Sequence, residues 1–264
     1  MADFTAKDVQ ALRQTTGAGM MDAKKALVEN EGDPEAAAQW LREKGIAKSA
    51  SRSDRDNREG VVVARVEGGI AAIVELKCET DFVAKSDQFG ELAENLLTSV
   101  LAEGEGAVSQ ESDVLEDLKL TLKENIDLGQ VVRYESSEGS VIDAYVHQQN
   151  GRGVNAVLVE IHNGTPEVAH DVALHIASSR PKYLTREDVP AEIVAAERET
   201  LESITRNEGK PDQAIQKIVD GRMSGFFRDT ALLEQKFVKD EKLGIAELLG
   251  EATIRRFTQV EIGN

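Results

Sequence analysis

The chain repeats itself, and that repeat limits its possible folds more than any other feature of the sequence. VVVARV and IAAIVEL, joined by Gly68 and Gly69, alternate and turn as a β-hairpin does. Helical stretches follow around 86–103 and 113–125, and LGQVVRYE closes the series as a strand. VIDAYVH and VNAVLVEI, joined at NGRG, open a second series, with the helix PEVAHDVALHIASS behind them. A shift of 85 residues lays Ile73-Val74-Glu75-Leu76 on Leu158-Val159-Glu160-Ile161, and Thr80-Asp81-Phe82-Val83-Ala84 on Thr165-Pro166-Glu167-Val168-Ala169. The closing strands agree through Leu128, Val131 and Glu135 against Ile254, Phe257 and Glu261, but at a shift of 126.

The jump between the two shifts places an insertion of about 41 residues in the second copy. Residues 186–226 supply it as two helices around a GKP turn. Ile193, Val194, Leu201 and Ile204 form an apolar stripe on the first helix, and Ile215, Ile218 and Val219 on the second. The expected class is α+β: a duplicated core with antiparallel sheets and an inserted antiparallel helical hairpin. Its first half is expected at 61–139, and its second at 140–185 and 227–264 with the C-terminal element.

Ahead of the repeat, residues 1–50 read as three short helices. Thr5 and Asp8 resemble a capping box, the turn TTGAG stops the first helix at Gly17 or Gly19, and MMDAKKALVEN forms the second. Asp33-Pro34 starts the third, with Ala37, Trp40, Leu41 and Gly45 on a helical period. The polar stretch at 51–60 reads as a linker.

A formal net charge of −17 argues against direct nucleic-acid binding, which needs clustered Lys and Arg. The acidity is concentrated in residues 61–150, where 6 basic residues face 18 acidic ones; it serves solubility or a partner with a basic face. No run of about 18 apolar residues occurs and MADFTAKDVQ has no apolar signal core, so a cytoplasmic protein without membrane contact is expected. The single cysteine, Cys78, lies in a strand-like run and reads as a small buried residue. Four histidines, His147, His162, His170 and His175, form no compact ligand set, and His147, at a strand end, is the most exposed of them. Phosphate-loop, dinucleotide and hydrolase motifs are all missing, so no metal, cofactor or covalent chemistry is expected.

The repeat also isolates one residue. Both copies have a threonine and a Val-Ala pair at the strand-to-helix junction, yet only the first puts Asp81-Phe82 between them; the second has Pro-Glu, an ordinary helix start. Position alone leaves two readings of Phe82: a plug for a core gap in the first half, or an aromatic wedge for a partner.

The stretches LRQTTGAGMMDAKKAL, residues 12–27, and CETDFVAK, residues 78–85, resemble the two signature motifs of bacterial elongation factor Ts. The resemblance extends over the whole chain, through HIASSRPKYL, the EGKP turn and the FVKDEK to FTQVEIG tail. It implies a guanine-nucleotide exchange factor for elongation factor Tu, with an N-terminal module like a ubiquitin-associated domain. By motif, Thr80, Asp81, Phe82 and Val83 would act on the partner's GTPase domain, disturbing its Mg²⁺ site so that GDP leaves. Positions Leu12, Arg13, Met20 and Met21 would grip a helix of the same domain, with His147 as a possible contact from the core. The sequence ends on FTQVEIGN, at Asn264, where some members of the family are expected to carry a long helical tail. A homodimer seamed by the 186–226 hairpin stays open, as does an adaptor that binds helical partners through the N-terminal module without exchange activity.

Overall fold

The computed structural model describes residues 4–50, 52 and 54–263. The first three helices are α1 (Ala6–Thr16), α2 (Met20–Glu29) and α3 (Pro34–Ala50). The Asp8 carboxylate accepts both the Thr5 N–H and the Thr5 hydroxyl at 2.7 Å, tying off the start of α1. Gly17, at φ +65°, ends it by donating its N–H to the Arg13 carbonyl at 2.9 Å, a conformation glycine adopts without penalty. Asp33 accepts the amides of Glu35 and Ala36 at 2.9 and 3.1 Å and so caps α3 behind Pro34. Val9, Leu12, Ala23, Ala26, Leu27 and Ala37 meet in a small core, with Trp40 and Leu41 packed on its edge. Gly45 of α3 lies so close to Leu120 that an added Cβ would stand 2.9 Å from a Leu120 methyl.

Of the linker expected at 51–60, Ser51 and Ser53 lie outside the described residues, and β1 already begins at Glu59. The chain continues through β1 (Glu59–Glu67), β2 (Ile70–Cys78), α4 (Asp81–Ala84), α5 (Asp87–Glu103), a 3-10 turn, α6 (Ser112–Leu122) and β3 (Asp127–Glu135). Then come β4 (Ser140–Gln149), β5 (Arg152–His162), α7 (Pro166–Ser179), α8 (Ala191–Asn207) and α9 (Asp212–Thr230). The chain closes with β6 (Lys236–Phe237), β7 (Asp240–Gly244), α10 (Ile245–Leu249) and β8 (Thr253–Glu261). The helix expected over 113–125 stops at Leu122 because Lys123 turns left-handed at φ +61°.

The strands form two antiparallel sheets, ordered β1-β2-β3 and β4-β5-β8, and β6-β7 is a separate small ribbon. The fold is α+β. Alternation along the central strands explains the layering. On β2, Ala72, Val74, Leu76 and Cys78 face α5 and α6, whereas Ala71 and Ile73 face the other sheet. On β5, Val157, Val159 and Ile161 face α7 and α10, whereas Ala156 and Leu158 return the contact. Both strands are buried on both faces, so each reads as a nearly continuous apolar run.

The cross-strand registers repeat. Ile70, Val74 and Leu76 oppose Glu135, Val131 and Leu128, while Asn155, Val159 and Ile161 oppose Glu261, Phe257 and Ile254. These are the positions related by shifts of 85 and 126. Each register slips beside the same buried acid, Glu75 in one sheet and Glu160 in the other. Glu75 accepts the Gln130 amide at 2.9 Å; Glu160 accepts the Ser137 amide at 2.8 Å and pairs with Arg256 at 2.7 Å.

In the hairpin α8–α9 the stripe differs from the one the sequence suggested. Ile193 and Ile204 are exposed, and the helices pack through Val194, Leu201, Ile215, Val219 and Met223. Residues 193 and 204 lie three turns apart on a common side, but it is the neighbouring side, with Val194, Leu201 and buried Thr205, that faces α9. Arg198 and Asp220, at 2.8 Å, bridge the hairpin from outside.

Candidate functional site: a braced aromatic at a strand end

Strand β2 ends at Cys78, and the chain enters α4, a single turn from Asp81 to Ala84. Thr80 caps it from extended backbone, its hydroxyl accepting the Val83 amide at 3.3 Å. Phe82 therefore lies inside a short helix rather than ahead of one. Ala84 is buried in the first core and Val83 packs against it. At 100° per residue, Phe82 then points away from that core, and its 83% exposure removes the core-plug reading. Asp81, beside it, receives Lys85 Nζ at 2.5 Å; that bond lowers the Asp81 pKa and keeps the carboxylate ionised.

Two carboxylates fix the turn to the rest of the fold. Glu124, just past α6, accepts the Glu79 amide at 3.0 Å and the Thr80 amide at 3.1 Å on one oxygen, and the Thr80 hydroxyl at 2.5 Å on the other. Glu79 returns the contact by accepting the Asn125 amide at 2.6 Å, while Asn125 Nδ2 donates to the Arg55 carbonyl at 2.8 Å. Arg55 reaches Glu79 at 3.4 Å. Three chain segments thus cross behind the phenylalanine. Cys78 is fully buried beneath them, as its strand position predicted. Burial, reinforced by the Glu124 charge, pushes its thiol up to about 12, so it is no nucleophile at neutral pH.

The second copy uses the cap without the rest. Thr165 accepts the Val168 amide at 3.4 Å with Pro166 in the first turn, and a full helix, α7, follows.

At the other end of the chain, Met20, Met21 and Val28 of α2 are 49%, 74% and 53% exposed, and Arg13 is exposed on α1. Met21 and Val28 lie seven residues apart, hence on one side of α2. Leu12 differs: it is buried in the module's own core and supports that surface from behind. His147 is exposed on β4, and its Nδ1 lies 3.5 Å from the Tyr145 hydroxyl. Among the described residues no group of three His, Cys, Asp or Glu side chains could hold a metal ion. No helix among them is long and apolar enough to cross a membrane.

Sequence reasoning missed Val28, Glu79 and Glu124. Val28 could have been found from its helical spacing to Met21. Glu124 carries no such signal, because its partner is 44 residues away.

A family model described as Elongation factor TS matches residues 79–264. Over 278 aligned residues the chain is 41% identical to "Elongation factor Ts" of Paenarthrobacter aurescens, covering 100% of both chains. It is likewise 41% identical, with full coverage of both, to the protein of that name from Arthrobacter sp. (strain FB24). The protein of that name from Clavibacter michiganensis subsp. michiganensis is 42% identical over 277 residues, again with full coverage.

Proposed function

Because the chain belongs to the elongation factor Ts family, we propose that it is the exchange factor that binds elongation factor Tu and promotes GDP release in translation elongation. The work is noncovalent. A factor that binds nucleotide-free partner more tightly than GDP-bound partner weakens GDP by the same ratio, as linkage requires.

The reading rests most on Phe82, a large aromatic held 83% exposed on a capped and braced turn. Leaving such a residue out of the core brings no gain to the fold itself, whereas an aromatic anchor buried in a partner's pocket can carry much of the binding energy of an interface. Seated in a pocket of the GTPase domain that opens as the Mg²⁺ site distorts, Phe82 supplies the differential contact. Asp81 beside it places a negative charge where the ion is to be disturbed, and Thr80 and Val83 set the turn's geometry. On this reading α2, through Met20 and Met21 with Arg13 from α1, holds the partner while the turn acts on it. The thioethers suit a surface that must adapt to a helix.

The test is release of a fluorescent GDP from elongation factor Tu with and without the chain. Acceleration by the full chain, together with a stable complex on nucleotide removal, supports the reading. Capture of elongation factor Tu with no acceleration would make the chain a binding adaptor instead.

A further inference from the structure

We propose that Glu124 is a positioning residue for nucleotide exchange: its carboxylate holds the Glu79–Thr80 backbone so that Phe82 is presented in one fixed orientation. The inference rests on the exchange-factor reading above and adds a residue far from its sequence motif. Its first ground is the geometry, in which one side chain takes two consecutive amides and the hydroxyl of the capping residue. Thr80 can then serve both ways, its hydroxyl donating to Glu124 and accepting from Val83. A turn of four residues has too few internal hydrogen bonds to hold its own shape, so this external clamp decides where Phe82 points.

The second ground is the internal repeat. Under the shifts of 85 and 126, the counterparts of Glu79, Phe82 and Glu124 are Gly164, Glu167 and Gly250. The copy that lacks the aromatic lacks both carboxylates, and its threonine nevertheless caps its helix. The clamp is thus dispensable to the shared strand-to-helix junction. It accompanies the exposed phenylalanine.

Reach and charge are separable by substitution in the full-length chain. Glu124→Gln keeps the length and can accept the amides through its carbonyl while donating to the Thr80 hydroxyl. Glu124→Asp keeps the charge but is one methylene too short to span both amides and the hydroxyl. Glu124→Ala removes the clamp. The measurements are amide hydrogen exchange at Glu79 and Thr80 in the free protein, thermal melting, and GDP release from elongation factor Tu across a concentration series.

With Ala and Asp, the Glu79 and Thr80 amides should exchange at least about tenfold faster, and the maximal release rate should fall by about tenfold, the size expected when an ordinary hydrogen bond can no longer be reached. The half-saturating concentration should change little, because the helical module still holds the partner. Glu124→Gln should stay within about threefold of wild type on both readouts, a difference no larger than one weak hydrogen bond. A wild-type maximal rate for both Ala and Asp would overturn the proposal. So would an Asp variant that behaves as wild type beside a Gln variant that does not, since charge rather than reach would then matter. Should Glu124→Ala fail to fold, the Asp and Gln pair decides alone. Phe82→Ala run alongside tells the two readings apart: slow release with Phe82→Ala and normal release with Glu124→Ala and Glu124→Asp removes only the Glu124 assignment. Normal release with Phe82→Ala removes the wedge reading and this inference with it.

Discussion

Thr80 and Thr165 occupy matching places in the two halves of the core, and each hydroxyl accepts the amide three residues on, at 3.3 and 3.4 Å. The residues next in the chain are different: Asp81-Phe82 after the first threonine, Pro166-Glu167 after the second. The cap belongs to the fold, and the phenylalanine is an addition to it.

Phe82→Ala should therefore leave the melting temperature close to wild type, since the Phe82 side chain is exposed and takes part in neither the Thr80 cap nor the core, and such a substitution shifts stability by about 0.5 kcal/mol or less. GDP release should slow by about 30-fold to 1000-fold, the equivalent of losing a hot spot of about 2 to 4 kcal/mol. Asp81→Ala should slow release less than Phe82→Ala does, because it removes one polar contact at an exposed site rather than a hot-spot aromatic. Lowering Mg²⁺ should narrow the gap for both variants if the turn works on the metal site. Stopped-flow release beside melts of each free protein checks this, and a grossly unfolded Phe82→Ala would contradict it.

At Gly153 of β5 the second sheet lies tight against β1 of the first. An added Cβ would overlap the Val62 carbonyl oxygen of β1 and stand 2.8 Å from a Val146 methyl of β4. The Val62 carbonyl cannot give way without moving β1, so Gly153→Ala should destabilise the core by about 1 to 3 kcal/mol, the usual range for overpacking. Urea unfolding should show the midpoint lowered at an unchanged slope. An unchanged midpoint would mean that the sheets separate freely.

His175 is fully buried and its pKa is lowered by that burial. Its Nδ1 accepts the Val238 amide at 3.2 Å, so the neutral ring carries its proton on Nε2 and donates to Gln235 Oε1 at 2.9 Å. The unfolded chain protonates this histidine near its ordinary value of 6.5 while the folded chain resists, so unfolding takes up a proton below that pH. The contribution is complete above about pH 6.5 and is lost as pH falls from there toward the lower folded value. Wild type should thus lose more stability between pH 7 and 5 than His175→Gln, whatever the variant's stability at pH 7. Parallel slopes of urea midpoint against pH would refute this.

The feet of the α8–α9 hairpin lie side by side. Lys182 donates to the Thr230 carbonyl at 2.9 Å and Leu232 to the Tyr183 carbonyl at 2.9 Å, and the hairpin has an apolar core of its own. Replacing residues 186–229 by a short glycine-containing turn should leave a cooperatively melting core in which both sheets keep their amide protection. Loss of protection in β4, β5 and β8 would show the hairpin to be an integral layer rather than an insertion.

Much of the molecule was determined by sequence alone, because it rests on local rules. Alternation marked the strands, and the two shifts made the second copy equivalent to the first, but which residues oppose each other in β2–β3 and β5–β8 comes only from the pairing itself. Thr80, Thr165 and Asp33 announced their caps by residue type and place, whereas the TTGAG turn offered Gly17 or Gly19 and the structure takes Gly17. The repeat also singled out Phe82 as something one half has and the other does without. Periodicity could not tell which side of α8 meets α9, because two adjacent apolar stripes fit the same sequence and only packing chooses between them. Nor could it tell that Leu12 turns inward beside an outward Arg13, or that Phe82 points outward rather than into a gap. Glu124 is the clearest case. On the sequence it is one acid among many in the most acidic segment, and it gains a role only when the start of β3 returns beside the end of β2, bringing its carboxylate to the Thr80 amide. Local preference follows from the covalent chain; a bond between residues 44 apart exists only where tertiary packing has already closed the loop between them.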